Sequence, residues 1–251
     1  MNTKLNNYKA GFLISFLFMA GELFAGSTAM EIIRKMDNSQ NATNQVITSS
    51  MVIKGRRATR TIESKSWIQG DEKSYTEYLA PAREKGTKML KVGDKLWIYY
   101  PSADRVVNIS GHMLRRSVMG SDMSYEDMME RRSTEETYDA VIEDEEKIGD
   151  RMTYRILMTA KVDDVAYQKV KIWIDKTRYI ALKQELYAAS GKLLKRLDTL
   201  SVMKTDRGWY PSHMRFKDVL KDGDGTEFKV YKILFDQKVK ASRFKKGQLR
   251  R

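Results

Sequence analysis

Leu96-Trp97-Ile98-Tyr99-Tyr100 is a run of five apolar or aromatic residues between the turn residues Gly93-Asp94 and Pro101-Ser102. Its length and its flanking turns are typical of a β-strand whose two faces are both buried. The run Lys169-Val170-Lys171-Ile172-Trp173-Ile174-Asp175 differs, because its aliphatic residues alternate with residues that include two lysines. That alternation predicts a strand with one dry face and one wet face. A sheet that contains both kinds of strand must be covered on both faces over part of its width.

Comparable runs recur along the chain at roughly 8–12-residue spacing, which is typical of an antiparallel meander. Glycine, aspartate, proline and serine residues separate the runs, as expected of turns. The pattern predicts twelve or thirteen strands. The candidate strands are 46–54, 59–69, 73–80, 87–92, 95–100, 105–109, 138–142, 152–159, 165–175, 179–188, 193–204, 208–220 and 226–239.

Two short helices interrupt this pattern. Apolar residues in 31–38 recur at helical spacing and predict an amphipathic helix. A second helix is predicted within 121–131, where Ser124 and Asp127 have the spacing of a capping box. No linker or repeat divides the chain. The sequence therefore predicts one mainly β (α+β) domain over 30–251, an unclosed antiparallel half-barrel with short helices as a plug or lid on its concave side.

Residues 1–29 have the three-part layout of a secretory signal peptide. Two lysines precede the apolar run 10–20, and small residues follow at 26–29. The run is about half the length that a bilayer span requires, so we expect cleavage rather than anchoring. Cleavage before Met30 fits best, with cleavage after Ala25 as the alternative. Export through such a signal places the mature protein in the periplasm.

The amino-acid composition excludes several classes of function. The chain has 251 residues, no Cys and a formal net charge of +13. Absence of Cys excludes disulfides, thiolate metal sites, cysteine nucleophiles and a lipid-modified N-terminal cysteine. The positive charge favours an anionic partner, either a lipid headgroup surface or an acidic protein, although solubility alone would also account for it. Export argues against nucleic acid as a partner.

Few residues have the spacing of a catalytic or metal site. Ser201 and Lys204 match a Ser-x-x-Lys acylating motif, but that motif needs a helical turn, and on a strand the two side chains face opposite sides. Turns, strands and solvated loops explain the remaining candidates. These are His112, His213, Asp222-Gly223-Asp224-Gly225, the acidic run Glu143-Asp144-Glu145-Glu146 and the pair Asp163-Asp164. We therefore predict a binding protein that is not an enzyme and that has no cofactor and no metal.

Soft apolar residues are abundant, with 15 Met, 13 Tyr, 8 Phe and 4 Trp. Methionine conforms to irregular apolar shapes, so the methionines around the second predicted helix form a candidate cover over a flexible ligand such as an acyl chain. Ordinary core packing is the alternative. On the two-sided strand, either Trp97 and Tyr99 or Leu96 and Ile98 face the ligand. The candidate lipid-binding residues are therefore Trp97, Tyr99, Leu96, Ile98, Met119, Met123, Met128 and Met129; Met113 belongs to the same methionine group.

Three motifs carry a family resemblance. They are Tyr78-Leu79-Ala80-Pro81-Ala82-Arg83-Glu84-Lys85-Gly86-Thr87, Lys95-Leu96-Trp97-Ile98-Tyr99-Tyr100-Pro101 and Met119-Gly120-Ser121-Asp122-Met123-Ser124-Tyr125-Glu126-Asp127. Trp173-Ile174-Asp175 and Gly208-Trp209-Tyr210-Pro211 fit the same pattern. In this order the motifs resemble the bacterial outer membrane lipoprotein-sorting protein family, a LolA-like group often found beside exporters of the resistance-nodulation-division (RND) type. The resemblance covers essentially residues 30–240.

The resemblance implies an unclosed antiparallel barrel with a helical lid, whose apolar cavity shields lipid chains across the periplasm. It implies a carrier that binds lipid or lipoprotein acyl chains and moves them toward the outer membrane. An inner-membrane RND-type exporter and a transient outer-membrane contact are the implied partners. The alternative is a periplasmic sensor or adaptor that binds lipidated protein and regulates a partner. The best-known carriers use a cavity arginine, a role that the motifs assign to neither Arg57 nor Arg60.

Overall fold

The computed structural model describes residues 28–40, 42–55, 58–129 and 133–251. The predicted signal peptide and Arg57 therefore lie outside the described residues, apart from positions 28 and 29. The described elements are helices α1 (Ala29–Gln40) and α2 (Thr134–Thr137) and strands β1 (Asn44–Lys54), β2 (Thr59–Gln69), β3 (Lys73–Ala80), β4 (Lys88–Val92), β5 (Lys95–Tyr100), β6 (Arg105–Ile109), β7 (Tyr138–Ile148), β8 (Arg151–Ala160), β9 (Lys169–Asp175), β10 (Ala181–Tyr187), β11 (Leu193–Thr205), β12 (Gly208–Asp218) and β13 (Thr226–Phe235).

All thirteen strands belong to one antiparallel sheet with the order β6-β5-β4-β3-β2-β1-β13-β12-β11-β10-β9-β8-β7. Two meanders, β1–β6 and β7–β13, are joined where β1 pairs with β13. Strands β6 and β7 are the two edges and do not pair with each other, so the sheet is unclosed. The predicted mainly β, unclosed architecture is confirmed. None of the helices in the described part of the chain is long and apolar enough to cross a membrane.

The connection from β6 to β7 leads from one edge of the sheet to the other. Its central part, residues 111–129, contains five methionines and is here called the methionine-rich segment. The segment packs on one face of the first meander, which we call the inner face. Helix α1 packs on the inner face of the second meander through Ile32 and Ile33, which contact Ile156, Ile172 and Ile174. These two covers bury the aliphatic residues of the inner face.

The opposite, outer face is covered differently in the two meanders. On the first meander, residues 236–251, here called the C-terminal strap, lie across β3, β4 and β5. Phe244 and Leu249 of the strap are buried against Tyr75 and Leu90. On the second meander, charged side chains cover the outer face and pair with one another. Arg155 alone contacts carboxylates of Glu143, Asp144 and Glu146.

The second predicted helix is the main error of the sequence-based description. In place of an α-helix over 121–131, the described residues form short 3₁₀ turns at Gly111–Arg115, Val118–Gly120 and Glu126–Met128. Left-handed φ angles at Met119 (51°) and Gly120 (79°) interrupt any helix that would enter from the N-terminal side.

Backbone hydrogen bonds explain why the chain does not continue as a helix. The N–H of Val118 donates to the carbonyl of Met123 at 2.8 Å, and the N–H of Tyr125 donates to the carbonyl of Arg116 at 3.1 Å. These bonds close a loop over 116–125 and use groups that a helix would need. The predicted capping pair is nevertheless present, since Ser124 N–H donates to Asp127 Oδ2 at 2.7 Å. The pair lies at the start of the 3₁₀ turn Glu126–Met128 and not at the start of an α-helix.

The strands differ from prediction mainly at their ends. β7 continues to Ile148 and takes in the acidic run at 143–146, which lies on the edge of the sheet. β9 begins only at Lys169, because residues 161–168 form a loop. Helix α1 matches its prediction and extends slightly beyond it at both ends. The predicted hairpin turn at 222–225 connects β12 to β13.

Candidate functional site

The alternation of β5 sends its side chains to two different environments. Leu96 and Ile98, which are 1% and 0% exposed, point to the inner face and pack in a cluster with Met89, Val118 and Tyr125. Met113, Met119, Met123, Met128 and Met129 pack against the same cluster. The structure therefore brings Leu96 and Ile98 together with the methionines, as the sequence allowed.

Trp97 and Tyr99 point the other way. They pack on the outer face with Tyr75 and Leu90 under the C-terminal strap. Of the two alternatives that the sequence left open for β5, the structure thus places Leu96 and Ile98 with the methionine-rich segment. The eight candidate lipid-binding residues do not form one site, because two of them lie on the far side of the sheet.

A large cavity of about 900 Å³ opens on the inner face. Its apolar lining comes from the methionine-rich segment, the loop 161–168 and strands β10, β11 and β12. These residues are Leu114, Met129, Ala166, Leu186, Leu197 and Phe216. The polar lining consists of Tyr138, Tyr167, Lys195 and the carboxylates Glu72, Asp94, Glu126, Asp127, Glu136 and Asp164. Of the sequence-predicted candidates, Met129 lines this cavity.

A second, small cavity of about 90 Å³ lies beneath the methionine-rich segment. Met123 and Met128 line it together with Met51, Ile62, Tyr78, Met89, Val118 and Phe228. Five hydroxyl-bearing residues complete the lining: Ser49, Ser50, Ser64, Ser66 and Thr76. Its volume is about one-tenth of that of the large cavity.

Hydrogen bonds across neighbouring strands satisfy most of these hydroxyls. Ser49 and Ser64 lie 3.2 Å apart between their oxygens, and Ser66 and Thr76 lie 2.8 Å apart. The side chain of Ser50 pairs with the hydroxyl of Tyr231 at 2.7 Å. This polar lining was not predicted from the sequence. The signal that could have indicated it is the alternation of polar residues along β1 and β2.

Arg60 holds one side of the methionine-rich segment to the sheet. Its guanidinium, on β2, donates to the backbone carbonyl of Met119 at 2.8 Å. The same guanidinium pairs with the buried carboxylate of Glu84 at 3.2 Å. Because the partner on the segment is a backbone carbonyl, no side-chain pattern in the sequence identified Arg60 for this role.

A buried polar group holds the segment to the second meander. The Lys195 ammonium forms an ion pair with Asp127, and the Tyr167 hydroxyl donates to Asp127 Oδ1 at 2.5 Å. Burial alone would raise the pKa of Asp127, but the nearby Lys195 charge and the hydrogen bonds hold that pKa below its ordinary value. Burial also raises the pKa of Tyr167. These groups form part of the large-cavity wall.

A third contact anchors the segment near the centre of the sheet. The Thr226 hydroxyl donates to Asp122 Oδ2 at 2.8 Å, and the backbone N–H of Asp218 donates to Asp122 Oδ1 at 3.0 Å. Lys221 adds a bond from its ammonium to the carbonyl of Ser121 at 2.9 Å. The methionine-rich segment is therefore apolar toward the sheet and fastened to it by polar contacts on several sides.

The two residues of the Ser-x-x-Lys motif do not lie on a helix. Ser201 and Lys204 both lie on strand β11, as expected. His213 lies 3.0 Å from Glu227 across β12 and β13, a contact that the linear sequence did not reveal. Glu227 also pairs with Lys54 at 2.9 Å, so it belongs to a network of ion pairs. Among the described residues, no group of three or more His, Cys, Asp or Glu side chains is placed to hold a metal ion.

Comparison with known proteins places this arrangement in a family. A family model described as "Uncharacterized protein" matches residues 70–251, which is well over half of the chain. The chain belongs to this family. No curated protein sequence matches the chain.

Solved structures show the same fold. A DUF1329 family protein from Desulfovibrio piger is similar over 88% of this chain and 97% of its own, with a TM-score of 0.80 and 23% identity. An outer membrane lipoprotein-sorting protein domain from Vibrio parahaemolyticus is similar over 89% and 98%, with a TM-score of 0.77 and 24% identity. A LolA superfamily protein from Nitrosomonas europaea is similar over 89% and 100%, with a TM-score of 0.72 and 23% identity. The chain therefore has the LolA-like fold, and this fold is the one that the motif resemblance implied.

Proposed function

We propose that this protein is a periplasmic carrier that binds the acyl chains of a lipid or lipoprotein in the large cavity. The observation that carries this proposal is the cavity itself. Its volume of about 900 Å³ falls in the range of sites for flexible small ligands, and its apolar lining comes from two packed layers. The LolA-like fold, shared with a lipoprotein-sorting domain, supports the same assignment.

The methionine-rich segment gives the cavity a deformable wall. Met129 lines the large cavity, whereas Met123 and Met128 line the small cavity. Methionine has three rotatable bonds and adapts to irregular apolar shapes, so the wall can follow a chain of variable length. Movement of the segment would join the two cavities. We propose that the empty protein holds the segment down through Arg60, Asp122 and Asp127 and that cargo displaces it.

Such a carrier needs no catalytic group, because burial of the acyl chain supplies the free energy of binding. Each methylene buried from water contributes about 0.8 kcal/mol, so a dry cavity can compensate an acyl chain for the burial that it loses on leaving a membrane. Release then requires an acceptor with a better site. We propose that loading involves an inner-membrane exporter of the RND type and that unloading occurs at the outer membrane. This part of the proposal rests on the family resemblance.

The cavity assignment is tested with a fluorescent fatty acid and two variants of one strand. Leu197 lines the large cavity, whereas Leu200, on the same strand β11, is exposed. Leu197→Asp places a charge where the chain should lie and should abolish uptake, while Leu200→Asp should bind as well as the parent. Melting curves of both variants establish that they are folded. Equal uptake by the two variants, or no uptake by the parent, would overturn the proposal.

Export is tested separately by measuring the intact mass of the protein recovered from the periplasm. We propose that the first 29 residues are removed on passage to the periplasm, because small residues occupy positions 27 and 29 ahead of Met30. The protein recovered from the periplasm should therefore begin at Met30. A mass that retains Met1 would contradict export by cleavage, and a mass that begins at Gly26 would identify the alternative site.

A further inference from the structure

The C-terminal strap is strongly basic. Between residues 236 and 251 it has seven basic side chains and a single acidic one, Asp236. The basic residues are Lys238, Lys240, Arg243, Lys245, Lys246, Arg250 and Arg251. All of them except Arg243 are exposed. None of the seven has an ion-pair partner within 28–40, 42–55, 58–129 or 133–251.

Packing fixes which side of the strap faces outward. Phe244 and Leu249 are buried against the outer face of the first meander. The Arg243 guanidinium lies 3.9 Å from the ring centre of Trp67 and 5.5 Å from that of Tyr75. With its apolar side and Arg243 held on the sheet and Lys246 stacked on Trp97, the strap presents its other basic side chains to solvent. The charges are therefore displayed on a fixed surface rather than on a loose tail.

The strap contributes most of the positive charge on this side of the molecule. Lys65, Lys88 and Lys95 lie on the outer sides of β2, β4 and β5, and Glu63 and Glu77 on the outer sides of β2 and β3 offset part of their charge. On the second meander many of the outer charges pair with one another, as around Arg155. An anionic surface that approaches the protein would thus find unpaired positive charge concentrated on one side of the molecule.

We propose that the C-terminal strap is a docking surface for an anionic lipid bilayer. A cluster of exposed Lys and Arg on a rigid support fits the phosphate layer of such a membrane, where each basic side chain strengthens binding. In this proposal the two faces of the sheet have different functions, because the inner face binds cargo and the outer face contacts the membrane. The docking surface does not depend on what the large cavity binds.

Vesicle cosedimentation of the whole protein tests the proposal. The vesicles contain either phosphatidylglycerol and phosphatidylcholine in equal parts or phosphatidylcholine alone. We expect binding to the anionic vesicles only, and weaker binding as salt is added. Each basic side chain near the surface contributes about fivefold to the partition coefficient, so Lys238→Gln, Lys240→Gln and Lys245→Gln together should weaken binding about a hundredfold.

A matched triple variant separates local charge from net charge. Lys169, Lys192 and Lys204 are exposed lysines of the second meander, and their replacement by Gln removes the same total charge. This variant should bind anionic vesicles almost as well as the parent. The proposal would be overturned by equal losses in the two triple variants, by equal binding to neutral vesicles, or by no binding of the parent protein. The last result would point to an acidic protein as the partner instead. Fatty-acid uptake, measured in parallel, should be the same in all three proteins, so failure of the carrier function is seen independently.

Discussion

Strand β5 is covered on both faces, and the two covers differ in what lies beneath them. On the inner face, Leu96 and Ile98 lie under the methionine-rich segment, which is fastened by polar contacts and borders two cavities. On the outer face, Trp97 and Tyr99 lie under the C-terminal strap, which is held by buried Phe244 and Leu249 and by cations stacked on aromatic rings.

Under the proposed function, one face of β5 lies next to the ligand site, while the other face is packed in the ordinary way. A cover that uses methionine side chains and polar anchors at its margins can lift as a unit, because its apolar contacts are not matched to one shape. A cover in which aromatic rings stack on guanidinium and ammonium groups has specific geometry and loses it on displacement. The following experiments test this distinction.

The largest effect is expected from a charge placed at the centre of the inner face. Ile98 is 0% exposed, and Ile98→Asp would bury a carboxylate without a partner. We expect a loss of at least about 4 kcal/mol in the free energy of unfolding, measured by urea titration. Tyr99→Asp, one position away on the outer face, should cost less than about 2 kcal/mol because Tyr99 is partly exposed and near Lys88. Similar losses for the two variants would show that the two faces are equally packed.

The next largest effect concerns the buried anchor of the methionine-rich segment. Lys195→Met would leave Asp127 without its cation and should destabilise the protein by about 3 kcal/mol. Amide hydrogen exchange in 111–129 should also become faster, while exchange in 95–100 changes little. Lys192→Met, at an exposed position close in sequence, is the control. Addition of Asp127→Asn to the Lys195 variant should restore part of the lost stability, and failure to do so would remove the ion pair as the cause.

Features of β5 that depend on neighbouring residues in the sequence could be predicted, whereas features that depend on long-range contacts could not. The strands were predicted because alternation and turn residues are local, and β2, β3, β5 and β6 have the predicted limits. The two-sided character of β5 was also visible. The assignment of its faces was not, because it depends on a strap that follows β5 in sequence by more than a hundred residues.

The second predicted helix failed for the same reason. Ser124 and Asp127 have the spacing of a cap and do form the hydrogen bond, but Asp127 also binds Lys195 on β11. Such tertiary contacts override weak local helix propensity. Likewise, Arg60 binds a backbone carbonyl, and the large-cavity wall combines residues from distant strands, so neither has a sequence motif.

A smaller effect of opposite sign is expected at α1, the cover of the second meander. Burial, with repulsion from Asp71, raises the pKa of Asp37 to about 6. An unfolded aspartate has a pKa of about 3.9, so the folded state binds the proton more tightly and loses stability as the pH rises from about 4 to about 6. Asp37→Asn should therefore be about 1 to 2 kcal/mol more stable than the parent at neutral pH and no more stable at pH of about 4. Urea titrations at the two pH values check this, and an equal gain at both would show that ionisation of Asp37 is not responsible.

The smallest effect is expected at the strap, and it separates the two covers of β5 most directly. Arg243→Ala removes the guanidinium that is stacked on Trp67 and should cost about 1 kcal/mol, because a cation–aromatic contact at a partly exposed site contributes about that much. Acrylamide should then quench tryptophan fluorescence more strongly, since two of the four tryptophans lie under the strap. Arg178→Ala, which removes a guanidinium stacked 4.2 Å from Trp209, is the matched control on the second meander. Fatty-acid uptake should be unchanged in both variants, because neither arginine lines a cavity on the inner face. If Arg243→Ala weakened uptake while Arg178→Ala did not, the strap would be coupled to the ligand site through β5, and its two covers could no longer be treated as independent.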